Sequence, residues 1–142
     1  YPALIMSHRY ELLMHTLDVR LRDGTSTNES NCWMAEDAFG YISEAEQPIF
    51  ESRWDPSRRK KILIVDDIND TGATFEWIKA DWRAGCMPQE HDCWNVIFGN
   101  DGNVRFASIV NNLSSDININ YTSIEINKAE KDHWIVFPWE TK

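Results

Sequence analysis

The chain has 142 residues, a formal net charge of −9, 42% hydrophobic and 26% charged residues. That is enough chain to bury a core, and the composition excludes a disordered polymer. No apolar run approaches the roughly 18 residues that span a bilayer, no signal peptide is visible, and the acidic balance argues against a nucleic-acid surface, for which only Arg58-Arg59-Lys60-Lys61 is a basic cluster.

Pro2 followed by Ala3-Leu4-Ile5-Met6 predicts a helix that runs to about Tyr10 or Leu12. His15, Leu17, Val19 and Leu21 alternate with polar residues, which predicts a strand over 14–21. Residues 22–57 are polar and interrupted by Pro48 and Asp55-Pro56, so they read as a long loop, with local helix over Met34–Tyr41. Ile62–Val65 is an apolar, β-branched run that predicts a buried parallel strand, with Asp66 and Asp67 at its C-terminal end. Thr71-Gly72-Ala73-Thr74 turns the chain into a helix whose face is Phe75, Ile78 and Trp82 and whose end is Gly85.

Beyond that helix, Trp94, Val96 and Phe98 alternate with Asn95 and Ile97, which predicts a strand over 93–99. Val104–Val110 predicts another, closing at Asn111-Asn112, and Tyr121–Ile126 a short third. The three cysteines, Cys32, Cys86 and Cys93, form no dense framework and read as reduced thiols in a cytoplasmic protein. Cys86, His91 and Cys93 match no common zinc spacing.

The chemistry concentrates at 62–74. Small residues and a glycine at a helix start let backbone N–H groups close around a phosphate, and the helix dipole favours the anion. Thr71 and Thr74 add hydroxyls, and Asp66 and Asp67 are acceptors for sugar hydroxyls or magnesium. A strand followed by Asp-Asp also opens receiver domains, with Asp101 as phosphoacceptor. That reading requires a lysine soon after Asp101, and none occurs before Lys128.

Val65-Asp66-Asp67-Ile68-Asn69-Asp70-Thr71-Gly72-Ala73-Thr74 resembles the phosphoribosyl-pyrophosphate (PRPP) signature of the type I phosphoribosyltransferases. The terminal Trp134-Ile135-Val136-Phe137-Pro138-Trp139-Glu140 is similar to the Trp-Ile-x-x-Pro-Trp-Asp segment of the xanthine–guanine members. The resemblance implies an α/β fold, a mostly parallel sheet with flanking helices and a small hood over 121–142, in a single domain spanning 1–142. It implies transfer of 5-phosphoribose from PRPP to a purine base in purine salvage, with Mg2+ as cofactor, no nucleic-acid or membrane partner, and a homodimer.

Carried over by residue, Asp66 and Asp67 would hold the ribose hydroxyls and any protein-bound magnesium. Asp70, Thr71, Gly72, Ala73 and Thr74 would cradle the 5′-phosphate, and Asp70 would be the catalytic proton acceptor at purine N7. Trp134 would stack on the base, its alternative being a place in the core, and the backbone of Ile135 would read the base edge. Where the family has a lysine for the C6 oxo group, this chain offers Asn111 or Asn112, whose alternative is to shape the turn. The 22–57 stretch falls at the family's closing loop, its alternative being an unstructured insertion. A strand and a Gly-rich pyrophosphate loop normally precede Pro-Ala, so the chain is expected to be N-terminally truncated, with a sheet short of one strand. Two other functions stay open: a non-catalytic PRPP-sensing module and an inactive fragment.

Overall fold

The computed structural model describes residues 1–19, 21, 32–88 and 93–140. It is a small α/β domain with a three-strand parallel sheet and flanking helices. The elements in chain order are α1 (Pro2–Tyr10), α2 (Cys32–Phe39), β1 (Ile62–Asn69), α3 (Ala73–Gly85), α4 (Trp94–Phe98), β2 (Val104–Asn112) and β3 (Tyr121–Ile126), with 3-10 turns at Gln47–Ile49 and Pro56–Arg58. No described helix is long and apolar enough to cross a membrane.

The strands lie in the order β1-β2-β3. β2 and β3 pair in parallel, from Ala107 opposite Tyr121 to Asn112 opposite Ile126. The connection between them is short for a parallel crossover, which usually takes about a dozen residues or more. It is held by Asn120, whose Oδ1 accepts from Phe106 N at 2.8 Å and whose N donates to Phe106 O at 2.9 Å. Ile117, midway along, is buried.

Two compact units divide the chain: residues 1–16, 65–75 and 106–142, and residues 17–64 and 76–105. In the first, Phe75 and Phe106 meet with ring centroids 4.9 Å apart, and Ala107, Val110 and Phe137 are buried with them. The second unit is built on tryptophan. Trp82 and Trp94 are both fully buried with centroids 6.1 Å apart, and Phe39 meets the Trp94 ring edge-on at 5.3 Å.

Several expectations change. Residues 12–19 and 21 form no strand. Leu13 is 94% exposed, and among the described residues the apolar alternation there has no neighbouring strand to complete a ladder. Residues 94–98 form a helix, not a strand. Trp94, Ile97 and Phe98 satisfy the i, i+3, i+4 pattern as well as the alternating one. Burial of Trp94 and Ile97 with Val96 in solvent selects the helix.

Of the expected long loop, residues 22–31 lie outside the described residues, as does His91. The remainder is a packed part of the second unit: α2 buries Met34, Ala35, Ala38 and Phe39, and Ile42 follows them inside. Gly40, at φ 84°, ends α2 where a side chain would strike the Asp55 carbonyl. β3, which opens the 121–142 span, is a strand of the sheet and pairs its backbone with β2 over most of its length. Cys32 and Cys86 are joined in a disulfide, so the expectation of three reduced thiols, and with it the ground for a cytoplasmic setting, does not hold. Cys32 opens α2 and Cys86 directly follows α3, positions far apart in sequence that only the fold brings together.

Candidate functional site

In a parallel sheet the C-terminal ends of all strands lie along one edge, and ligands bind there. Here that edge collects Asn69 and Asp70 from the end of β1, Asn111 and Asn112 from the end of β2, and Lys128 just past β3. β1 runs on to Asn69, so Asp66 and Asp67 lie inside the strand rather than beyond it. Consecutive strand residues lean to opposite sides of the sheet, yet the Asp67 side chain still bears directly on the Asp66 carboxyl.

The turn from β1 to α3 encloses a small hollow of about 40 Å³, lined by Ile68 through Phe75. Gly72 has φ 88°, and a Cβ there would come within 2.9 Å of Ser115 Oγ and 3.2 Å of Ile117 Cβ. Only glycine meets both demands at low cost. Thr71 Oγ1 accepts from Ala73 N at 3.3 Å, fastening the first turn of α3. The helix that follows is 13 residues long, and its amino end carries the partial positive charge that favours an anion.

Two buried asparagines fix this turn. Asn69, 2% exposed, donates from Nδ2 to Asn111 Oδ1 at 2.8 Å, Ser115 Oγ at 3.2 Å and Ile117 O at 3.2 Å. Asn112, 5% exposed, donates from Nδ2 to Asp70 O at 2.9 Å and Asp70 Oδ1 at 3.3 Å. Its Oδ1 accepts from Lys128 N at 3.0 Å and from Ser114 Oγ at 2.9 Å. Lys128 Nζ stands 2.8 Å from Asp70 Oδ2, with the lysine side chain only 19% exposed. The edge therefore presents a carboxylate and an ammonium side by side.

Asp66 is half-buried. Burial pushes its carboxyl above the usual carboxylate range, the Asp67 carboxylate adds to this, and the Asp67 N–H, donating to Asp66 Oδ1 at 2.9 Å, opposes it. The folded chain thus holds the Asp66 proton more tightly than the unfolded chain does. Stability then falls as pH rises from the ordinary value of 3.8 through the raised one. Asp66→Asn is expected to remove that slope: urea midpoints of variant and parent should separate in the variant's favour above this window and show no Asp66-dependent difference below it. A separation independent of pH would contradict the assignment.

The structure brings Asp70, Thr71, Gly72, Ala73 and Thr74 together around the hollow, and draws Asn111 and Asn112 inward to support it. Trp134 is not a core residue: it is 82% exposed, and Ile135 next to it is half-buried. Among the described residues no group of three His, Cys, Asp or Glu side chains is close enough to cage a metal. The carboxylates present suit magnesium only in the manner of an ion that arrives on phosphates and takes one or two protein oxygens.

Sequence reasoning missed Asn69 and Lys128. A usable signal existed, because residues that follow parallel strands must share one sheet edge, and Lys128 follows β3 by two positions. No family model matches the chain, and neither a curated protein nor a solved structure shows significant similarity to it.

Proposed function

We propose that this chain transfers 5-phosphoribose from PRPP to a purine base, on a type I phosphoribosyltransferase fold. The observation that carries the reading is the hollow at the amino end of α3, flanked by the Asp70–Lys128 pair. Backbone amides and hydroxyls of Thr71–Thr74 receive the 5′-phosphate, the anion to which a helix start is suited. Asp67 and Asp66, in the strand leading to the loop, accept from ribose hydroxyls. In the transfer, the bond from C1′ to pyrophosphate breaks with its electron pair leaving on pyrophosphate. A bond from the base nitrogen to C1′ forms, and the proton at N7 passes to Asp70. Magnesium, when bound with PRPP, supplies charge neutralisation on the phosphates.

Lys128 supplies a donor next to Asp70. A base edge that offers an N–H and a carbonyl oxygen side by side, as a 6-oxopurine does at N7 and C6, matches this carboxylate and ammonium. Asn111 and Asn112 are assigned to holding the loop rather than to reading the base. Trp134 offers an open aromatic face, and stacking on such a face is worth about 1–3 kcal/mol per base in nucleic-acid binders.

The direct assay is pyrophosphate release in Mg2+ and PRPP on addition of guanine, hypoxanthine, xanthine or adenine. Release is expected with the oxopurines and much less with adenine, which lacks the C6 oxygen. PRPP binding with no base-dependent release would point instead to a non-catalytic PRPP-binding module, and absence of both would overturn the proposal.

A further inference from the structure

We infer that Asn112 is the positioning residue of this site: one buried carboxamide holds Asp70 and Lys128 in register with each other. The inference rests on the reading of Asp70 and Lys128 as the groups that meet the base.

Asp70 and Lys128 are 58 residues apart in sequence and come from the ends of different strands. An ion pair between two side chains fixes only their charged tips, and each retains rotamer freedom. The backbone beneath each tip must be fixed separately. Asn112 does this for both. Its nitrogen holds the Asp70 carbonyl at 2.9 Å and reaches the same residue's carboxylate at 3.3 Å, while its oxygen holds the Lys128 amide at 3.0 Å.

The donor and acceptor ends of one planar group therefore set the spacing of the two segments. An amide is required, since a carboxylate has no donor and would face Asp70 with like charge. Asn69 repeats the device one residue earlier, reaching Asn111, so the last residue of β1 and the one that follows it are tied to consecutive residues at the end of β2. At 5% exposure, Asn112 has little to gain from water if these partners are lost.

The test compares Asn112→Ala and Asn112→Asp with Asn120→Ala, which removes the side-chain bond to Phe106 N on the same strand, away from the loop. Two readouts are used. The first is the ammonium NMR signal of Lys128, which the ion pair with Asp70 shields from exchange and which requires no ligand. The second is the steady-state kinetics of phosphoribosyl transfer.

Both Asn112 variants are expected to lose the Lys128 signal and to lower kcat on the order of 100-fold, the penalty of a misplacement of about 1 Å, with KM for PRPP changed less than about threefold. Asn120→Ala is expected to keep both. An unchanged Lys128 signal in the Asn112 variants, or a loss of kcat no greater than that of Asn120→Ala, would overturn the inference. If the parent protein transfers no phosphoribose, the function proposed above fails, and the NMR comparison still decides whether Asn112 sets the pair.

Discussion

Asp70→Asn is expected to lower kcat for phosphoribosyl transfer by about 10²–10⁴-fold, the range that a positioned general base contributes, while PRPP binding survives. The substitution keeps the shape of the side chain and the backbone carbonyl that Asn112 holds at 2.9 Å. It removes the carboxylate that takes the base proton and that pairs with Lys128 at 2.8 Å. Calorimetry with Mg2+ and PRPP, run beside steady-state kinetics, separates the two effects. A variant that turns over at the parent rate would dismiss Asp70 from the chemistry. A variant that no longer binds PRPP would make Asp70 a binding group and leave the proton acceptor unassigned.

Reduction of the Cys32–Cys86 disulfide is the second large effect. The bridge closes a loop with a sequence separation of 54 residues. On chain-entropy grounds such a closure stabilises by about 4 kcal/mol. Set against a total of roughly 5–15 kcal/mol for an ordinary domain, that is a major share. The residues beside the bridge show where the loss would fall: α2 packs Met34, Ala35, Ala38 and Phe39 inward, and Cys86 is itself 1% exposed. Urea unfolding with and without a dithiol reductant, following tryptophan fluorescence, is expected to show a clear drop in midpoint on reduction. Coincident curves, with reduction verified by thiol titration, would contradict a structural role for the bridge.

The sheet was largely legible in the sequence because its strands are short β-branched runs bounded by turn residues. Tyr121–Ile126 falls where the pattern puts it, and Val104–Asn112 and Ile62–Asn69 only extend further than their apolar cores. Their extensions carry Asp66, Asp67, Asn111 and Asn112, polar residues whose place in a strand depends on tertiary partners that periodicity does not show. The helix after the loop was legible for a different reason: Phe75, Ile78 and Trp82 share one face and all three are buried.

Other elements failed on ambiguity. Trp94–Phe98 fits both periods in five residues, and only the pocket around Trp94 decides between them. The alternation over 14–21 is a strand only if a partner edge exists, which one segment does not reveal. The disulfide joins cysteines whose proximity is set by how α2 and the end of α3 pack, a purely tertiary fact. At the site, the loop was readable because backbone conformation needs glycine and small residues there. Its supports were not, because Asn69, Asn112 and Lys128 act across long sequence separations.

The most direct test of the central claim is an NMR titration of the protein with Mg2+ and PRPP, following the backbone amides of Thr71, Gly72, Ala73 and Thr74. The account predicts that these amides shift and saturate together, ahead of any response from surface sites remote from the sheet edge. Saturable PRPP binding that leaves all four amides unmoved, or no binding at all, would contradict it.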